Sequence, residues 1–165
     1  MYPRWISKDP YLFLRQVAPL LYVGAEGSPR ARQWGLVVNF YGHGAIPRTE
    51  KLLSLPFIDG DSFPEGALDT AYEAVYDALC QRKPVLLHCQ AGLSRSASAA
   101  YAMLRSIYGL SHEEAHARIH TTTEMEAGPK KWVYHWPRTK TLASAREWNQ
   151  GFNLRKSQRT NSYPY

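Results

Sequence analysis

The residues with the most chemistry to offer lie in one run, Val85-Leu86-Leu87-His88-Cys89-Gln90-Ala91-Gly92-Leu93-Ser94-Arg95-Ser96. A short apolar strand leads into a loop, and the loop leads at once into a helix. Backbone N–H groups of such a loop, together with the free N–H groups of the helix start, converge on one point and make an anion site. Gly92 permits the tight turn this needs. A cysteine held in that positive field is favoured as the thiolate, the form that attacks. Arg95 can fork two hydrogen bonds onto the oxygens of a phosphate, which a lysine does less well. Ser96 can donate to the sulfur and help it depart from a phosphocysteine. Gln90, Ala91, Leu93 and Ser94 would line the cup with Gly92 and Arg95, and His88 is read as a support for loop geometry rather than as a base. The chemistry on offer is phosphoryl transfer through sulfur, with no metal or cofactor required.

His88-Cys89-Gln90-Ala91-Gly92-Leu93-Ser94-Arg95-Ser96 resembles the His-Cys-x-x-Gly-x-x-Arg-Ser signature of the cysteine-based protein tyrosine phosphatase superfamily. The stretch Ala91–Ala97 is similar to the dual-specificity branch, and the likeness extends over about residues 18–125. Leu21-Tyr22-Val23-Gly24 is similar to the first strand of that family, and Leu36–Phe40 to its second. The resemblance implies a general acid, an aspartate in the loop after the third strand, about thirty residues before the cysteine. Two residues stand there, Asp59 and Asp61. Asp59 ends an apolar run and precedes Phe63 by four residues, the spacing the family shows. Asp61 is the alternative acid, although beside a helix start a carboxylate also favours the helix N-terminus.

The resemblance further implies a dual-specificity protein phosphatase acting on phosphotyrosine and phosphoserine/threonine through a phosphocysteine. Members that act on phosphoinositides or RNA 5′-triphosphates usually carry Lys, Arg or His in the variable loop positions, and Gln90, Ala91, Leu93 and Ser94 are uncharged. That favours a single phosphate on a phosphorylated protein as the partner, with nucleic acid not expected. Two alternatives stay open: the same chemistry on a phosphoinositide or carbohydrate phosphate, and a phosphate-binding module without catalysis.

Positioning these groups takes an α/β domain. Leu20–Val23, Leu36–Phe40, Leu53–Ile58 and Val85–His88 read as buried strands. Between them, Ser28-Pro29 opens a short helix ending near Gly35, and Ser62-Phe63-Pro64-Glu65 is a capping box for a helix to about Arg82. Further helices are expected over about 95–108, from Ser111 to about His120, and over 139–149. Alternation of this kind gives a small, mostly parallel central sheet with helices on both faces. Residues 1–150 form the expected domain, with 1–10 poorly ordered and 151–165 a basic, flexible tail.

The remaining features set bounds. The chain has 165 residues, 44% of them apolar, and a net charge of +6, which suits anionic partners without choosing one. Two cysteines make no disulfide framework and fit a reducing compartment. The run Tyr11–Val23 is broken by Arg15, Gln16 and Pro19, so it is neither a membrane span nor a secretory core, and a cytoplasmic location is expected. Tyr2 and the absence of a terminal cysteine motif argue against lipid anchors. Cys80 reads as a small buried residue, with a reversible disulfide to Cys89 as the second reading. His112-Glu113-Glu114-Ala115-His116 matches a zinc-protease pattern, with Glu147 as a conceivable third ligand, but reads as an ordinary capped helix. His43 reads as part of a plain turn. The segment 129–140, rich in Trp, Tyr and Lys, departs from the family. It is either core packing with solvated lysines or a recognition surface.

Overall fold

The computed structural model describes residues 1–157, with the side chains of 155–157 left aside. Strands β1 (Arg4–Ser7), β2 (Leu14–Ala18), β3 (Leu21–Gly24), β4 (Trp34–Asn39), β5 (Thr49–Ser54) and β6 (Val85–His88) form one sheet in the order β1-β2-β3-β6-β4-β5. From β3 onward every neighbouring pair is parallel, whereas β1, β2 and β3 pair antiparallel. The central β6 is flanked by β3 and β4, and all its residues are buried, hence its unbroken apolar sequence. Register aligns Gly24, His88 and Asn39 at the carboxyl ends of these three strands. That is the edge of a parallel sheet where ligands bind, and Cys89 follows directly.

Helices α1 (Ala67–Cys80), α2 (Arg95–Ser106), α3 (His112–Ile119) and α4 (Thr139–Ser157) share the larger core cluster with Leu21, Val23, Leu36, Val38, Val85 and Leu87 of the sheet. α2 lies at the centre of this layer. Its run of Ser and Ala, with almost every residue buried, allows close approach by α1, α3, α4 and the sheet. On the opposite face Leu14, Tyr22, Trp34, Val37 and Leu86 form a second, smaller cluster, next to the segment that follows a 3-10 turn at Ser28–Arg30. There Arg32 lies over the rings of Tyr22 and Trp34 at 5.5 and 5.3 Å. The mostly parallel α/β sheet is as the sequence leads one to expect.

Several elements differ from the sequence expectations. The expected helix after Ser28 is one 3-10 turn, because the Ser28 hydroxyl donates to Ala25 O instead of capping. The capping box at Ser62 does not form: α1 begins at Ala67 after Gly66, which takes a left-handed φ of +78°, and the Phe63 N–H is met by Ser144 Oγ at 3.0 Å. The third parallel strand is Thr49–Ser54 rather than Leu53–Ile58. The apolar residues after Ser54 leave the sheet, and Phe57 packs on the core from a loop. Residues 4–7 are a strand rather than part of a poorly ordered end. A long hairpin, β7 (Thr121–Ala127) and β8 (Lys130–Trp136), stands apart from the main sheet. α4 runs past the expected boundary at 150 to Ser157, and residues 158–165 of the expected tail lie outside the described residues. Among the described residues no helix is long and apolar enough to cross a membrane.

Candidate active site

The loop 89–94 is held by the strands beside β6 and by the helix that follows it. Cys89 N–H points to Gly24 O at 3.4 Å, Gln90 O accepts from Glu26 N–H at 2.9 Å, and Ser98 N–H closes the first turn of α2 on Ser94 O at 2.8 Å. Gly92 has φ +71°, and a Cβ there would come within 2.8 Å of the Gly24 carbonyl carbon, so both backbone conformation and space call for glycine. Cys89 is buried, and its Sγ lies 3.1 Å from Ser96 Oγ on the first turn of α2. That contact suits a hydroxyl steadying a sulfur anion.

Arg95 is 7% exposed. Its Nη1 donates to Phe57 O at 2.8 Å and to Phe40 O at 3.3 Å, and its guanidinium stacks 5.4 Å from the Tyr41 ring. Phe40, Phe57 and Phe63 pack edge to face or tilted, fixing the two carbonyls that aim the arginine. Asn39 sets the neighbouring loop: its Oδ1 accepts from Tyr41 and Gly42 N–H, and its Nδ2 donates to His43 O. His43 thus belongs to a turn and meets the Tyr41 ring edge to face.

The two candidate acids part company. Asp59 Oδ1 stands 4.0 Å from Arg95 Nε, and Oδ2 stands 3.4 Å from Arg138 Nε. It lines a small cleft of about 60 Å³ with Cys89, Gln90, Ala91, Leu93, Ser94, Arg95 and Trp136. Asp61 turns outward to Lys140 at 3.7 Å and is absent from the lining, while its carbonyl accepts from Thr141 Oγ1 of α4. α4 therefore anchors the loop that carries Asp59.

His88 is buried beneath the loop. Burial pushes its pKa down to about 4, with the Cys89 main chain pulling weakly the other way, so its imidazole is neutral at neutral pH. Cys80, expected to be buried, is exposed at the last residue of α1. His112 is tied by Nδ1 to Tyr101 OH at 2.8 Å, and Ser111 caps α3 by accepting from Glu114 N–H. Among the described residues no cluster of His, Cys, Asp and Glu is arranged to hold a metal ion.

Two groups at the site escape the sequence reading. Arg15, on β2, is 1% exposed, and its Nη2 donates to Gly92 O at 2.9 Å. Its guanidinium lies 5.5 Å from the Trp5 ring and 5.2 Å from the Phe13 ring. Burial lowers its pKa to about 10, with the nearby Cys89 acting in the opposite direction. In the sequence Arg15 merely interrupts an apolar run. Trp136, the last residue of β8, forms one wall of the cleft that holds Cys89. Arg138 N–H donates to Ser94 Oγ at 3.0 Å, which fastens the chain leaving the hairpin to the loop that follows Cys89. The signal that could have marked the hairpin is the runs of Thr, Val, Trp and Tyr on either side of Gly128-Pro129.

No sequence-family model matches the chain, and no curated protein matches it in sequence. Solved structures do match. A mouse dual specificity phosphatase complexed with zinc tungstate superposes with a TM-score of 0.71 at 22% identity, covering 92% of this chain and 94% of that one. A variant of human DUSP28 gives a TM-score of 0.69 at 22% identity, over 86% of this chain and 97% of its own. The human tyrosine phosphatase-like serine/threonine/tyrosine-interacting protein gives 0.66 at 15% identity, over 86% and 97%. The chain shares the fold of these solved structures.

Proposed function

We propose that this protein is a cysteine-dependent phosphatase that removes phosphate from tyrosine and from serine or threonine of phosphorylated proteins. The observation that carries the reading is Cys89 Sγ beside Ser96 Oγ, in a loop whose cleft also holds Arg95 and Asp59. The Cys89 thiolate attacks phosphorus, the P–O ester bond breaks, and Asp59 gives its proton to the departing oxygen. Water, losing a proton to the ionised Asp59, then attacks the phosphocysteine. The S–P bond breaks, phosphate leaves, and Ser96 donates to the returning thiolate. Arg95 and the loop N–H groups hold the charge on the equatorial oxygens throughout. Arg138 lies against Asp59 at 3.4 Å, and a dianionic phosphate offers that cation a competing partner. The cleft at Cys89 is small, with uncharged Gln90, Ala91, Leu93 and Ser94 around it, which suits one phosphate on a protein side chain better than a headgroup bearing several.

A binding module without turnover is the second reading, since one of the similar structures is of an interacting protein by its name. The intact set Cys89, Arg95 and Asp59 favours catalysis. The test is vanadate-sensitive hydrolysis of phosphopeptides, phosphoinositides and phosphorylated glycans by wild type, Asp59→Asn and Asp61→Asn. Phosphopeptides are expected to turn over fastest. Asp59→Asn should lower kcat by about a hundredfold or more, and Asp61→Asn by less than about threefold. Equal losses in the two variants would contradict the assignment of the acid.

A further inference from the structure

The β7–β8 hairpin has both faces largely open to solvent, and one of them is aromatic. Side chains alternate along a strand, so Trp132, Tyr134 and Trp136 share a face with Met125 and Thr123, their neighbours across the ladder. Trp132 and Tyr134 are 50% and 45% exposed, an unusual outlay of apolar surface for residues with no core to join. Trp136, at the base, belongs to the catalytic cleft, so the aromatic strip is continuous with the site of chemistry. Between this strip and the Asp59 loop lies an open groove of about 530 Å³, lined by Gly60, Tyr134, His135, Trp136, Arg138 and Thr139.

The arm is braced. His135 Nδ1 lies 3.0 Å from His120 Nε2, and the rings of His112, His116, His120 and His135 follow one another at 5.9, 5.1 and 5.2 Å from α3 to β8. Trp136 Nε1 donates to Thr123 Oγ1 across the strands at 2.8 Å. A surface held this firmly binds without first having to be ordered.

We propose that this arm reads the substrate: an extended phosphopeptide lies along the groove, with an aromatic or large aliphatic side chain two residues from the phosphoresidue packed on Tyr134. The spacing matches. Two residues of a strand and two of an extended peptide both advance about 7 Å, so a peptide with its phosphate beside Trp136 brings the second residue on to Tyr134. The charges also favour a peptide over a nucleic acid. Arg138, Lys131 and Lys140 each face a carboxylate, Asp59, Glu124 and Asp61, so the groove offers no row of open cations to follow a phosphodiester backbone. The inference rests on the protein-phosphatase reading above.

The test compares kcat/KM on phosphotyrosine peptides in a Ser/Gly background, with Phe or Gly two residues to either side, and on p-nitrophenyl phosphate. Wild type is expected to favour one Phe peptide over its Gly counterpart by about tenfold. Tyr134→Ala, on an exposed face, should shrink that preference to about twofold, and Tyr134→Phe should keep it. Equal rates for the Phe and Gly peptides, or a preference intact in Tyr134→Ala, would overturn the inference and leave protein phosphatase activity standing. If the aryl phosphate turned over and no peptide did, the protein-substrate reading itself would fall. A 5′-phosphorylated oligonucleotide outrunning every peptide, and losing most in Tyr134→Ala, would overturn the inference in favour of a nucleic-acid substrate.

Discussion

Arg95 and Arg15 are both buried, yet their hydrogen bonds serve different parts of the site. Arg95 is aimed by the carbonyls of Phe40 and Phe57, with its remaining donors free for a phosphate. Arg15 reaches Gly92 O and ties β2 to the loop that follows Cys89. It also places a positive charge near the Cys89 sulfur. Removing the charge should therefore be felt at the thiolate even though Arg15 touches no substrate. We expect Arg15→Leu to slow alkylation of Cys89 by iodoacetate at neutral pH about tenfold, and Arg15→Lys to recover most of the rate. Equal alkylation in wild type and Arg15→Leu would reduce Arg15 to packing. The candidate set was legible in the sequence because a short loop fixes the distance from Cys89 to Arg95 and Ser96. Asp59 stood out as the candidate acid because it ends an apolar run and precedes Phe63 by the four residues that the resemblance implies. Arg15 was not, since a charge satisfied by a carbonyl and two rings reads in sequence as a break in a strand. Trp136 was missed for a related reason: its role depends on where the hairpin folds back.

At the scale of elements, the loop between β6 and α2 is the part that tolerates least. Gly92 combines a left-handed φ with a close approach to the main chain after β3, so Gly92→Ala strains the loop and pushes on Gly24 and Ala25 together. It should cost about 1–3 kcal/mol in urea melts and lower kcat/KM at least about tenfold, because the loop amides move with the strain. Unchanged kinetics in a destabilised variant would separate loop geometry from catalysis. The parallel strands β3, β4 and β6 were legible because burial on both faces leaves continuous apolar runs. The start of α1 was not: Ser62 has the right neighbours for a cap, but Ser144 on α4 takes the Phe63 N–H, and a partner so distant in sequence leaves no local trace. β5 slipped for the same kind of reason, since an edge strand exposes much of its surface and the adjoining apolar residues pack from a loop.

For the whole molecule, the neutral His88 at the core makes stability depend on pH. Its folded pKa is about 4, against an ordinary value of 6.5 in the unfolded chain. Below pH 6.5 the unfolded state takes up a proton that the folded state refuses, so stability falls as the pH drops towards 4 and this contribution levels off below that. The loss across this window is of the order of 3 kcal/mol. Urea melts from pH 7 to 4.5 should show the decline, and the His88 ring resonances of the folded protein should stay neutral at pH 5.5. An imidazole titrating near 6.5 in the folded state would contradict the burial argument. The larger core, shared by the sheet and all four helices, supplies the fixed frame against which the hairpin and the Asp59 loop are set.

The most direct test of the central claim is mass spectrometry of the protein quenched in acid during turnover of a phosphotyrosine peptide, with Ser96→Ala used to slow the second step. The peptide fragment containing Cys89 is expected to gain the mass of one phosphoryl group, and Cys89→Ser to show neither the adduct nor turnover. Turnover with no phosphoryl group on Cys89, or undiminished in Cys89→Ser, would contradict it.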